Sequence, residues 1–303
     1  MKPVSKEEVT VVLPTLNEEE AIGQVIDELK SEGYKNILVV DGYSKDRTVE
    51  IAREKGVKVV YQRGIGKAGA VKTAIETVET PYILFMDADY TYSAKDIERM
   101  LNHISNSDEV IGLRMDRHNI PLLHRIGNRI ISLAFSLFIG SRLWDPCSGM
   151  YLLRTESAKM LELSSRGFDV EVEIASQLST LGRVVEVPIS YRRRIGGRKL
   201  QTWREGFNIL MKTVKMALLY NPIFLFSSLV ALFSIPGALI LVWQLYIRYI
   251  YGAEKWSLGW SWLGLTLLIV GIQGLALAVT SLLLKRMERR IVQAIAWKSK
   301  REP

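Results

Sequence analysis

Along the first two thirds of the chain, short apolar runs alternate with longer stretches whose apolar positions recur every three or four residues. The runs TVVLP, NILVV, VKVVYQ and YILFM have the length and β-branched content of buried strands. Between and after them, Glu18 to Glu32, Lys45 to Lys55, Lys67 to Val78 and Ala94 to Asn106 carry the helical period. This alternation predicts βαβ units, and so an α/β class domain with a mostly parallel, Rossmann-like sheet and helices on both faces. Such sheets bind ligands beyond the carboxyl ends of their strands. Three polar clusters fall at those ends: Pro14-Thr15-Leu16-Asn17-Glu18, Asp41-Gly42-Tyr43-Ser44 and Asp87-Ala88-Asp89.

The pattern changes after Gly196. Ala217 to Ile247 and Trp260 to Leu284 are nearly free of charge, and each is long enough to cross a bilayer core of about 30 Å as a helix. The expected organisation is a catalytic domain over 1–203, a juxtamembrane helix over 204–220, a two-helix transmembrane hairpin within 221–284 and a basic tail over 285–303. The stretch Pro121 to Gly140 adds an amphipathic helix of the membrane interface. It sets Arg125 and Arg129 four apart among Ile126, Ile130, Leu133, Phe135 and Leu137.

Charge sharpens this picture. The 303 residues hold 40 Lys and Arg against 32 Asp and Glu, and the basic excess clusters beside the apolar segments. That placement suits anionic lipid heads or phosphates and argues against nucleic acid. Basic residues flank the hairpin on both sides and its connection carries few. This predicts a multi-pass protein of the cell membrane with the catalytic domain and both termini in the cytoplasm. Trp243, Tyr246, Tyr249, Tyr251, Trp256, Trp260 and Trp262 crowd the opposite end, as an interfacial belt does. The N-terminus has no apolar region of signal-peptide length, and the single cysteine, Cys147, cannot form an internal disulfide.

The chemistry starts from Asp87 and Asp89. Residues two apart on an extended chain point to the same side, so these carboxylates repel unless a cation lies between them. Gly64-Ile-Gly66-Lys-Ala-Gly69 fits a dinucleotide-binding fingerprint, but it follows the third strand and places Lys67 where phosphates arrive at a helix start. A dehydrogenase also leaves the second aspartate, Asp41 and the hairpin without a role.

With VVLPTLNEEEAI, VVDGYSKDRT, GIGKAGAVKTA and FMDADYTYS in order, the chain resembles the family 2 glycosyltransferases of GT-A fold. Within them it is most similar to the polyprenyl-phosphate branch typified by dolichol-phosphate mannose synthases. The resemblance covers residues 8 to 205 and implies a nucleotide-sugar donor and a divalent metal, Mg²⁺ or Mn²⁺. It assigns Pro14, Leu16, Asn17, Glu18, Asp41, Lys67, Asp87 and Ala88 to the donor, with Asp41 at the base or ribose. Asp87 and Asp89 become the metal-binding DxD motif. Thr91 stands where many mannose synthases place Gln as a further metal ligand.

Asp145-Pro-Cys-Ser148-Gly149 resembles the D-x-x-S-G acceptor motif, and Arg194 to Leu200 resembles R-x-G-x-S-K-L, with Arg198 in place of Ser. Asp87, Asp89 and Arg194 are thus the expected catalytic residues. The expected acceptor-phosphate contacts are Arg114, Arg117, Arg125, Arg129, Ser148, Arg194 and Lys199. A lipid phosphate is already anionic at neutral pH and needs no protein base to attack, so cations on the acceptor side suffice. The expected reaction is inverting hexose transfer to a polyprenyl (dolichyl) phosphate, with GDP-mannose as first donor and UDP-glucose as rival. A membrane protein that binds nucleotide sugar without catalysis is the alternative of another class, and the oligomeric state stays open.

Overall fold

A computed structural model describes residues 4–116, 119, 125, 128–129, 131–133, 135–136, 141–164, 170–196, 211 and 222–299. These fall into two compact units, 1–216 and 217–303. Arg117, Arg198 and Lys199, most of the expected 204–220 helix and much of the 121–140 helix lie outside the described residues.

The first unit is a seven-stranded sheet. In chain order its strands and helices are β1 (Val9–Thr15), α1 (Ile22–Ser31), β2 (Ile37–Asp41), α2 (Thr48–Glu54), β3 (Lys58–Tyr61), α3 (Gly66–Thr77), β4 (Tyr82–Phe85), α4 (Asp96–Ile104), β5 (Glu109–Arg114), β6 (Tyr151–Arg154), α5 (Thr155–Lys159), α6 (Val170–Leu181) and β7 (Val184–Ile189). The strand order is β3-β2-β1-β4-β6-β5-β7. Every neighbouring pair is parallel except those made by β6, which runs against both β4 and β5.

The four anticipated helices form, three of them shorter than their amphipathic stretches and α3 of the same length but shifted one residue toward the N-terminus. Ile22, Val25, Ile26 and Leu29 of α1, and Ile97, Met100, Leu101 and Ile104 of α4, are buried at i, i+3, i+4, i+7 spacing. Each such side chain contributes about 1.5–3 kcal/mol by leaving water. Just past the end of α1, Gly33 takes a φ of +85°, which lets its N–H reach the Lys30 carbonyl and that of Tyr34 reach the Leu29 carbonyl. Helix α4 starts at Asp96, while the Ser93 hydroxyl just before it donates to the Glu28 carboxylate.

Register fixes the site. Thr15 lies opposite Asp41, and Asp41 opposite Tyr61, so the loops leaving β1, β2 and β3 emerge side by side. Strand β6 pairs Tyr151 with Phe85, which brings the residues before β6 to the carboxyl end of β4. An antiparallel insertion thereby delivers the Asp145–Gly149 segment to the edge that holds Asp87.

The second unit consists of α7 (Pro222–Tyr251) and α8 (Leu258–Ser299). Phe226–Tyr251 and Leu258–Leu284 are long and apolar enough to cross a membrane, with mean hydropathies of 2.0 and 2.3, and most of each faces outward. The first therefore runs past Ile247 to include Arg248. Arg248 lies over the Trp256 ring at 5.2 Å and Lys255 over Tyr251 at 5.6 Å, which seats both cations on the aromatic cluster of the connection. The two backbones approach closely at small residues, since a Cβ on Gly237 would lie 2.9 Å from the Gly264 carbonyl oxygen.

Candidate active site

Among the described residues, three that are not glycine adopt positive φ: Asn17 (51°), Tyr43 (66°) and Tyr90 (67°). Each follows a strand at the same sheet edge. Asn tolerates this conformation, whereas for tyrosine it is strained, and such strain collects at functional sites.

The β1 and β2 loops are stitched together by their own side chains. Asp41 is fully buried and accepts from Thr15 Oγ1 (3.0 Å), Ser44 N (2.8 Å) and Ser44 Oγ (2.5 Å). Ser44 Oγ in turn accepts from Asn17 N at 2.8 Å, and Asn17 Oδ1 accepts from Lys45 N at 2.7 Å. Asp41, expected at the base or ribose, thus holds the loop that carries Tyr43. Tyr43 stacks on Tyr61 at 5.4 Å, and both rings are exposed. Pro14 sits in register with Val40, and Leu16 is exposed beside it in sequence.

Lys67 occupies the first turn of α3. Gly64 and Gly66 take positive φ, and a Cβ on Gly69 would lie 2.8 Å from the Gly64 carbonyl carbon, so the glycines tighten the turn that presents this lysine. Its buried ammonium lies 2.5 Å from Asp87 Oδ1 and 2.6 Å from Glu171 Oε1. Burial alone would lower the lysine pKa, yet the charges of Asp87 and Glu171 hold it well above the ordinary value.

The other carboxylate, Asp89, accepts from Thr91 N and Oγ1 on Oδ1 and from Arg194 Nη1 on Oδ2, the last at 2.9 Å. Thr91, expected among the metal ligands, donates its hydroxyl proton to Asp89 and so orients that carboxylate. Burial, and then the charge of Asp87, push the Asp89 carboxyl above its ordinary range against the pull of Thr91 and Arg194. Ala88 between the two aspartates is buried.

Arg194 also donates from Nη2 to both Glu18 oxygens, at 2.7 and 3.0 Å. Its segment is docked on the DxD loop through the backbone as well, with Arg192 N donating to Thr91 O and Ile195 N to Asp89 O. Arg192 forks onto Glu28 and lies over the Tyr90 ring at 4.7 Å.

The acceptor-motif loop is rigidly held. Arg114, expected at the acceptor phosphate, is buried and gives two bonds to Asp145, at 2.7 and 2.6 Å, while Asp145 N donates to Glu186. Ser148, with the same expectation, is also buried. Gly149 N donates to Tyr92 Oη at 2.8 Å, and a Cβ at Gly149 would fall 2.0 Å from Asp87 Oδ2. Arg125 is half-buried with an Nε that has no hydrogen-bond partner among the described residues, and Arg129 is exposed. Burial pushes the Cys147 thiol up, so it stays protonated and is no nucleophile.

Sequence reasoning missed Glu171, Tyr92 and Arg192 as parts of this edge. The run Val170–Glu173 is buried throughout, and two acids inside so apolar a helix start were the available signal for Glu171.

The donor set suits a hard divalent cation. Among the described residues no cluster of three or more His, Cys, Asp or Glu side chains encloses a metal. Two carboxylates completed by substrate phosphates and water are, however, the usual way Mg²⁺ is held at phosphate-transfer sites. Four carboxylates, Glu18, Asp87, Asp89 and Glu171, share the cations Lys67 and Arg194, leaving an excess of negative charge that a divalent ion offsets.

A mixed, mostly parallel GT-A sheet with a carboxylate pair at the end of β4 defines a glycosyltransferase. The chain belongs to glycosyltransferase family 2, whose profile matches residues 10–160. It is 38% identical over 228 residues to glycosyltransferase AglJ of Haloferax volcanii, covering 73% of this chain and 75% of the relative. It is 32% identical over 218 residues to the dolichyl-phosphate hexose transferase of the same organism, covering 70% of this chain and 95% of the relative. Among solved structures it is similar to glucosyl-3-phosphoglycerate synthase of Mycobacterium tuberculosis in complex with Mn²⁺, UDP-glucose and glycerol 3-phosphate. That likeness has a TM-score of 0.57 and 21% identity, spans 70% of this chain and 79% of the synthase, and supports the fold alone.

Proposed function

We propose that the protein transfers a hexose, with inversion, from a nucleotide sugar to a polyprenyl phosphate at the cytoplasmic face of a membrane. The observation that carries this reading is the Asp87–Asp89 pair held between two cations, Lys67 and Arg194, at the carboxyl end of β4. When bound there, Mg²⁺ or Mn²⁺ neutralises the diphosphate as the anomeric carbon leaves it. Asp87 and Asp89 would hold the ion, and Thr91 sets the orientation of Asp89.

Lys67 and Arg194 are placed to follow the charge of the departing diphosphate. The β1 and β2 loops bind the nucleotide, with Leu16, Tyr43 and Tyr61 as its apolar surroundings and Asp41 as the anchor of their loop. On the acceptor side the lipid phosphate attacks without a protein base, and Arg125, Arg129, Arg117, Lys199 and Arg194 are its candidate counter-ions. The polyprenyl acceptor is supported by the relative named a dolichyl-phosphate hexose transferase and by two helices of membrane-spanning length. The motif resemblance favours GDP-mannose as donor and keeps UDP-glucose as the rival.

The test is transfer of labelled hexose from GDP-mannose or UDP-glucose by the full chain in detergent, with Mg²⁺ or Mn²⁺, with and without dolichyl phosphate. Label is expected in the lipid extract from one donor only, and only with the phosphorylated lipid. Label that reaches free sugar or a hydroxyl acceptor, and never lipid phosphate, would refute the reading.

A further inference from the structure

Three elements that are distant in sequence converge on one ammonium group. Lys67 comes from α3, Asp87 from the end of β4 and Glu171 from α6, and the lysine lies within 2.6 Å of an oxygen of each acid. The two acids are differently placed. Asp87 belongs to the DxD motif, whereas Glu171 is buried behind it with its Oε2 unpartnered by any hydrogen bond among the described residues. Glu173, two residues on, accepts from Ser164 N and Oγ at 2.9 and 2.7 Å, and so braces a loop. The only side-chain ion pair that Glu171 makes among the described residues is with a lysine of the donor site.

The Glu171 carboxylate is buried at a cost in free energy that its pairing with the Lys67 ammonium offsets. Removing it would leave Asp87 to carry more of the lysine's charge and would weaken Asp87 as an oxygen ligand. We propose that Glu171 is a positioning residue of the donor site. It shares the Lys67 ammonium with Asp87, and so keeps Asp87 available to a divalent cation and Lys67 within reach of the donor's diphosphate. This rests on the donor site proposed above. Lys67 and a divalent cation compete for Asp87, Glu171 relieves that competition, and cation binding and diphosphate binding are coupled through the lysine.

The test measures binding, not turnover, on the full chain in detergent. Mn²⁺ is titrated by the loss of the free-ion paramagnetic signal, alone and with GDP or UDP, for wild type, Glu171→Gln, Lys67→Met and the double variant. Glu171→Gln is expected to weaken Mn²⁺ binding about tenfold, as loss of one charge-assisted contact does. Lys67→Met should act in the opposite direction on Mn²⁺ alone, binding it more tightly, and should weaken the nucleotide diphosphate. In the Lys67→Met background the further change Glu171→Gln should have a much smaller effect, since the residue acts through the lysine. An equal loss in both backgrounds, with wild type binding Mn²⁺ and nucleotide normally, overturns the inference and leaves the donor site standing. If Glu171→Gln does not fold, weaker Mn²⁺ binding by Lys67→Met alone overturns it. Wild-type protein that binds neither Mn²⁺ nor nucleotide diphosphate removes both.

Discussion

Arg194 reaches back across 176 residues of sequence to Glu18, donating to both of its carboxylate oxygens while its other terminal nitrogen donates to Asp89. One planar guanidinium thus joins the loop after β1, the DxD loop and the segment that follows β7. Lysine has no planar fork and cannot give both Glu18 oxygens and Asp89 separate, fixed donors. Arg194→Lys should therefore lower kcat/KM by roughly tenfold to a hundredfold, the worth of one charge-assisted contact. Unchanged kcat/KM for donor and lipid would show that the bridge is dispensable.

Gly149 is tied to Asp87 by space alone. A methyl group there would fall 2.0 Å from Oδ2, so Gly149→Ala must turn the Asp87 carboxylate away from its present position. Misplacement of about 1 Å at a reacting site costs on the order of a hundredfold in rate. The expected result is that loss in kcat with the far-ultraviolet circular dichroism of the wild type. Full activity would mean that the Asp87 orientation seen here is not the working one.

Arg114 and Asp145 form a buried, doubly bonded pair, with side chains 10% and 6% exposed. Truncating one partner strands the other's charge, which typically costs 3–5 kcal/mol, so Arg114→Met should lower the melting temperature sharply. A residue that only met lipid phosphate would instead leave thermal stability alone and raise KM for lipid. Thermal melts and lipid titrations of the one variant separate the two roles.

Much of this was legible in the sequence, for physical reasons. Strands and helices show their period because each buries one face, and the acids and glycines of the donor motifs stand out because their neighbours are apolar. What stayed hidden depends on pairing between distant segments. Nothing local in YLLR marks β6 as antiparallel, yet its direction brings Gly149 to Asp87. Arg114 reads from the sequence as an acceptor-phosphate contact, and only its register with β7 and its reach to Asp145 make it a core residue. Nothing local in the sequence pairs Arg192 with Glu28, which the fold sets 2.7 Å apart.

Glu109 offers a pH test away from the chemistry. Burial, and then the charge of Glu186, hold its carboxyl well above the ordinary 4.5, and its Oε2 has no hydrogen-bond partner among the described residues. Because the folded-state pKa is the higher one, its contribution to stability is full below the unfolded value and is lost as pH rises. Glu109→Gln should thus leave the melting temperature near pH 4 almost unchanged and raise it progressively toward neutrality. A melting-temperature difference that does not grow between those limits would count against a neutral, buried acid.

Arg125 and Arg129 give the acceptor test. Replacing either with Gln should raise KM for polyprenyl phosphate by about tenfold and leave nucleotide binding without lipid unchanged. If nucleotide binding falls equally, these arginines do not belong to the acceptor side.

The docking of residues 192–195 on the DxD loop has a consequence for the order in which the protein is made. Chains fold from the N-terminus as they leave the ribosome, and this segment emerges after every strand of the sheet and just ahead of the two apolar helices. Until it appears, Glu18 and Asp89 lack the counter-charge of Arg194 and the nascent domain is left with an open, self-repelling edge. The cluster of Glu18, Asp89 and Arg194 therefore closes at the stage of synthesis when the first apolar helix is about to emerge, so this edge of the sheet is charge-balanced only once the catalytic-domain fold is almost fully made.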